Sequence, residues 1–307
     1  MPSTVAHTPS ADKVVEGDDA AHSLLPTLRR RVDAGGDAFF CATDYDAVAL
    51  GVADGVSESA KYGGHPAEFS WLMMEMASDR FHEIQRQRRA WQHAGDHGPS
   101  APSVVDAREL LEGAYEKMLQ RSPIITGSST VCLLTLCQET GILDSATLGD
   151  SGYAVFRDSR LHHRSAVQQH RFNYPYQLSV RMKEQPALSG EEQYTASPPA
   201  STIEHGPILP RDAAADSHQL QDGDLVLLAS DGLMDNMHED EVIQVLETEP
   251  SLLLTGARQW NADLEDALCR VAWRLAQTAW TLSQDPRRLS PWAQSARNID
   301  AINAMGG

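Results

Sequence analysis

No stretch of the sequence approaches the ~18 consecutive apolar residues of a membrane-spanning helix, so no membrane span is expected. Basic residues are scarce: 25 Lys and Arg stand against 43 Asp and Glu, a formal net charge of −18. Binding a polyanion needs a basic face, so nucleic acid is not an expected partner. An acidic chain can still bind phosphate where its carboxylates recruit divalent cations. Cysteine is sparse too. Cys41, Cys132, Cys137 and Cys269 form no C-x-x-C pair, which argues against a structural zinc site of that kind and suits a reducing compartment. The N-terminus, MPSTVAHTPSADKVVEGDDA, has no apolar signal region and is too acidic for an ordinary organellar transit peptide. The chain is therefore cytosolic, or a targeting segment lies outside it.

What is present suffices for a sizeable core, since 41% of residues are apolar. Residues 1–29 read as a polar tail, expected to be disordered, and 30–307 as one domain. AFFCAT (38–43) and AVALGVA (47–53) form a hairpin across Asp44-Tyr45-Asp46. A helix follows from about His65, with Phe69, Leu72, Met73 and Met76 on one face. Residues 86–103 read as a surface loop and 105–121 as a second helix. SSTVCLLTL, ILDSATLG, YAVFRD and LHHRS, split by short turns, indicate an antiparallel meander. The stretch 166–210 reads as irregular, 224–230 as a buried strand, and 239–247 and 261–282 as helices. This order points to an α+β domain with two packed layers of sheet.

Three carboxylates stand at strand ends: Asp54 in LGVADG, Asp150 in TLGDSG and Asp231 in LLASDG. A single Asp-Gly is usually only a turn. Three of them can converge at one sheet edge, where carboxylates repel unless a cation lies between them. Hard oxygen ligands of this type suit magnesium or manganese. The glycine after each of Asp54 and Asp231 lets backbone approach a ligand closely.

VADGVSESAKYGGHPAEFS, GSSTVCLLTL, ATLGDSGYAVFR, QQHRFNYPYQLS, GDLVLLASDGLMDNM and LSPWAQSA occur in that order. Together they resemble the type 2C metal-dependent protein phosphatases, in particular the branch with mitochondrial and plant members, over roughly residues 36–296. The resemblance implies a four-layer α-β-β-α sandwich of two antiparallel sheets flanked by helices. It implies hydrolysis of phosphoserine or phosphothreonine in proteins by water held between two Mg²⁺ or Mn²⁺ ions, with a weaker third ion. The implied catalytic residues are Asp54 and Asp231. Asp54 matches the residue that bridges the ions, Gly55 a carbonyl ligand, and Asp231 a ligand of the first ion. Asp37 matches a carboxylate supporting metal-bound water, and Asp150 a third-site ligand with Asp235 close by. The implied partner is a phosphoprotein substrate, met by a monomer. The branch suggests mitochondria, and the N-terminus as written suggests the cytoplasm.

Some positions depart from the pattern. Gly36 stands where an acidic residue usually precedes Asp37, and Ser57 and Glu58 replace two glycines. The family's closing segment, like GGKPDDITVLL, supplies a further ligand and a strand, and no PDD occurs here. The reading therefore expects a truncated form whose activity is conditional on that segment. A second reading is a weak or inactive relative that binds a phosphoprotein or regulates. His162 and His163 read as ordinary strand residues, and the i, i+4 pair His93 and His97 as no metal site. Trp260, Trp273 and Trp280 read as core or amphipathic packing.

Overall fold

A computed structural model of the chain describes residues 34–44, 46–57, 60, 64–94, 105–121, 126–182, 194–195, 207–252 and 262–305. Met1–Ala34 and Gly35–Gly307 are two units, and the elements below belong to the second. The 1–29 tail, Glu58, His97 and Trp260 lie outside the described residues.

β1 (Asp37–Asp44) and β2 (Ala47–Asp54) form the expected hairpin, in register from Asp37 opposite Asp54 to Asp44 opposite Ala47. Then come α1 (Pro66–Ala94), α2 (Ala107–Gln120), β3 (Gly127–Ser129), β4 (Val131–Cys137), β5 (Ile142–Leu148), β6 (Gly152–Arg157) and β7 (Arg160–Arg164). Next are β8 (Gln169–Arg171), β9 (Tyr174–Pro175), β10 (Leu178–Met182), β11 (Tyr194–Thr195), β12 (Ala214–Gln219) and β13 (Leu225–Ala229). The chain continues with α3 (Asp231–Met234), α4 (Glu239–Leu246), α5 (Ala262–Ser283) and α6 (Pro291–Met305).

The strands build a five-stranded antiparallel sheet in the order β1-β2-β4-β5-β12 and a three-stranded one in the order β13-β6-β7. Burial reveals the layers. On β4, Val131 and Leu133 join a core with Phe69, Leu72 and Met73 of α1 and Leu110 and Leu111 of α2. Their neighbours Cys132 and Leu134 face the other way, into a core with Tyr153 and Val155 of β6, as the two-residue period of a strand requires. A third core joins Ala154 and Phe156 of β6 to Val242 of α4 and Val271 and Leu275 of α5. Helices, sheet, sheet and helices thus follow one another, which is the four-layer α-β-β-α arrangement.

Four readings need correction. The strands read as one meander fall into two sheets, β4 and β5 in one and β6 and β7 in the other, because the chain crosses between layers at residues 149–151. α1 runs to Ala94, through residues read as loop. Its Gln, Arg and Ala are strong helix formers, and Arg88 reaches Asp46 at 3.0 Å, tying that turn to the β1–β2 hairpin. Residues 166–210 contain β8, β9, β10 and β11. Trp273 and Trp280 are 62% and 67% exposed, so they lie off the apolar stripe of α5.

Candidate active site

The acidic strand ends do meet. Asp54 closes β2 directly opposite Asp37, which opens β1. Thr130 fixes Asp54 from the next strand: its backbone N–H donates to the Asp54 carbonyl at 3.0 Å. Its hydroxyl accepts from the Asp54 N–H at 3.3 Å. The Thr130 hydroxyl also pairs with the buried Ser151 hydroxyl at 2.7 Å. Ser151 follows Asp150, so side chains join the β2 and β5 corners across β4, the strand that pairs with both.

Asp231 arrives from the second sheet, at the start of α3 just beyond β13. Ser230 precedes it, and its hydroxyl donates to Asp37 Oδ2 at 2.9 Å. One bond therefore links the β13 corner to the β1 corner. Sequence reasoning missed Ser230 and Thr130. Each lies beside a motif Asp, in the chain or across the ladder, and that adjacency was the available signal.

Glycine closes the floor of the site. The Gly55 N–H donates to the Gly36 carbonyl at 3.1 Å. A Cβ on Gly55 would lie 2.5 Å from the carbonyl oxygens of both Gly36 and Pro66, and one on Gly36 would lie 2.9 Å from the Gly55 oxygen. Backbone meets backbone here, so a side chain at either position would force the corner to shift.

The electrostatics centre on Asp54. Its carboxyl is pushed up to about 9, first by burial and then by the charges of Asp231 and Asp37. Carboxyls held this close share protons because like charges cannot all ionise together. Burial and Asp231 push Asp150 up to about 6, against backbone N–H groups that favour its charge. Burial, Asp231 and Asp150 push Asp235 up to about 7, with Arg164 acting in the opposite direction. All five carboxylates are half-buried along one edge. The donor set is anionic oxygen throughout, and a divalent cation among these groups would balance the charge that now holds a proton on Asp54. Such a set fits Mg²⁺ or Mn²⁺.

The motif segments near this edge also touch. Asn173, at φ 55° in the β8–β9 turn, accepts a hydrogen bond from Trp292 Nε1 at 2.8 Å. Phe172 packs on the Trp292 ring with centroids 5.4 Å apart. The Trp292 N–H donates to the Asp235 carbonyl at 3.3 Å. Asn173 thus pins its own turn to α6.

No protein-family model matches the chain. It is 32% identical over 283 residues to the protein phosphatase PTC7 homolog of Danio rerio, covering 91% of this chain and 80% of that protein. Against the Homo sapiens protein phosphatase PTC7 homolog it is again 32% identical over 283 residues, covering 91% and 78%. The solved structure of the photosystem II phosphatase PBCP superposes with a TM-score of 0.61 at 26% identity, covering 87% of this chain and 80% of that one.

Proposed function

Because this chain belongs to the PTC7 group of the type 2C metal-dependent protein phosphatases, we propose that its carboxylate edge hydrolyses phosphoserine and phosphothreonine esters in protein substrates. The observation that carries the proposal is the Asp54 carboxyl, opposite Asp37 across the first hairpin and pushed up by the charges of Asp231 and Asp37 where both sheets end.

The residues that would hold Mg²⁺ or Mn²⁺ are Asp54, the Gly55 carbonyl and Asp231, with Asp150 and Asp235 serving a weaker third position. Two such ions supply positive charge for the phosphoryl oxygens and acidify a water molecule. The chain's own part is positional. Thr130 fixes Asp54 at the strand end, and Ser230 holds Asp37 in orientation. Asp37 is then placed to accept a hydrogen bond from an attacking water beside Asp54. The scheme needs no side-chain nucleophile. We assign the phosphatase domain to residues 30–307, which holds every residue of this set.

The test is Mn²⁺-dependent release of phosphate from phosphoserine and phosphothreonine peptides, with Asp54→Ala and Asp231→Ala beside the wild type. Each substitution should lower the rate by more than about 100-fold, since even outer-shell changes cost about 10- to 100-fold. Equal rates in wild type and Asp54→Ala would refute the assignment. A folded wild-type chain that binds phosphopeptide without turnover would support a binding role instead.

A further inference from the structure

A second set of metal-ligating side chains lies away from the acidic edge. His163 on β7 and Asp216 and His218 on β12 each offer one ligand atom, and these atoms lie within 4.8 Å of one another. Asp216 pairs with Ser145, five residues before Asp150 on the same stretch of chain, so it sits about 17 Å from that corner at ~3.4 Å per residue.

We propose that His163, Asp216 and His218 form a zinc-binding site that clips the two sheets together at their edges. β7 is an edge strand of the three-stranded sheet and β12 an edge strand of the five-stranded one. No ladder joins these two strands in the described sheets, so an ion here adds a bond between layers that meet through apolar packing and the hydrogen bonds of Tyr153 to His218 and Ser145.

Four observations carry the assignment. First, the donor set is chemically apt: two imidazoles and a carboxylate, with the fourth position left to water, is a common zinc complement. A tetrahedral ion about 2.1 Å from each donor sets the donors roughly 3.4 Å apart. The donors, within 4.8 Å of one another, need to draw in by at most about 1.4 Å to reach it.

Second, His163 Nε2 is buried and has no hydrogen-bond partner. A buried imidazole nitrogen left unpaired is costly, and a metal ion satisfies it. Burial, followed by the neighbouring His218, also holds His163 below the usual imidazole range although Asp216 opposes this. The neutral ring is the form that ligates.

Third, His218 is oriented as a ligand is. Its Nε2 pairs with the Tyr153 hydroxyl at 2.8 Å, and that hydroxyl pairs with Ser145 Oγ at 3.0 Å. This leaves Nδ1 for the ion, and outer hydrogen bonds of this kind fix the tautomer of metal-bound histidines.

Fourth, the same Ser145 hydroxyl donates to the Asp216 carbonyl at 3.2 Å and accepts from the Asp216 N–H at 3.3 Å. One serine therefore positions two of the three ligands. His163 and His218 have ring centroids 4.0 Å apart, so both rings are at hand for one ion and open by about 1 Å to take it at tetrahedral geometry.

The experiment uses the full chain, carrying Asp54→Asn so that the acidic edge does not compete for zinc. The protein is stripped with chelator, and zinc binding is measured by equilibrium dialysis in excess Mg²⁺. One equivalent is expected, with affinity at least about 10-fold weaker when His163→Gln or His218→Gln is added. Asp216→Asn, at an exposed position, should weaken it in the same direction. Co²⁺ should give visible absorption of a low-coordinate site in the parent and lose it in the histidine variants. Zinc should raise the thermal midpoint of the parent alone. In the otherwise wild-type chain, His163→Gln should retain Mn²⁺-dependent phosphatase activity, which reports that the variant folds. Zinc binding of equal strength with and without the histidines, or no zinc bound by the parent, would overturn the proposal and leave a stacked imidazole pair.

Discussion

Asp37 and Asp54 stand directly opposite each other across the first hairpin, and the charge of Asp37 helps push the Asp54 carboxyl up. Two acidic side chains at paired positions repel, and like charges directly opposite in a ladder destabilise it. Here Asp231, delivered from the second sheet, adds a third charge. The fold thus concentrates negative charge where its two sheets end, which suits a cation site and counts against stability without one.

That cost has a pH signature. Asp54, Asp235 and Asp150 have folded values of about 9, 7 and 6, each above the ordinary 3.8. The folded state therefore binds protons more tightly than the unfolded chain. The resulting stability is fully present below about pH 4 and is lost as pH rises through those three values. In chelator, the melting midpoint should fall between pH 5 and pH 9 as these groups give up their protons. Saturating Mn²⁺ should flatten the slope. Thermal melts across that range with and without Mn²⁺ check the sign.

Ser230→Ala removes the hydroxyl that orients Asp37 at 2.9 Å. The value of kcat should fall by about 10- to 100-fold even at saturating Mn²⁺, because Asp37 is the proposed acceptor for the attacking water. A variant whose kcat is fully recovered at saturating Mn²⁺ would show that Ser230 acts on metal binding and not through Asp37.

Gly55→Ala places a methyl group 2.5 Å from two backbone oxygens. Neither can rotate away, so the Asp54–Gly55 corner must shift. Overpacking of this kind costs about 1–3 kcal/mol, readable as a lower urea midpoint. Phosphatase activity should fall with it, because the displaced residue follows Asp54. Gly232→Ala is the control: its nearest neighbour is Ser230 Oγ at 3.6 Å, an ordinary contact.

Much of the fold and of the acidic edge is legible in the amino-acid sequence. Asp54, Asp150 and Asp231 can be placed because an apolar strand fixes the position of the residue that ends it. The α1 stripe of Phe69, Leu72, Met73 and Met76 is buried as its spacing requires. β12 is not legible. AADSHQ has no apolar alternation, and four of its six residues are exposed, so only its ladder to β5 makes it a strand. The grouping of His163 with His218 is hidden for the same reason: it needs the edges of two sheets to be set side by side. Ser230 escapes notice because its hydroxyl acts on Asp37, 193 residues earlier. α6 escapes because PWAQSARNIDAINAM lacks a continuous apolar stripe, and its link to Asn173 through Trp292 is a tertiary contact.

Calorimetric titration of Mn²⁺ into the metal-free chain at pH 7, repeated in buffers of different ionisation enthalpy, tests the central claim most directly. With Asp54 held at about 9, a cation that occupies the carboxylate edge must displace its proton. The account predicts release of about one proton on binding, and a clear loss of both release and affinity in Asp54→Asn. Binding with no proton released, or binding unchanged in Asp54→Asn, would contradict it.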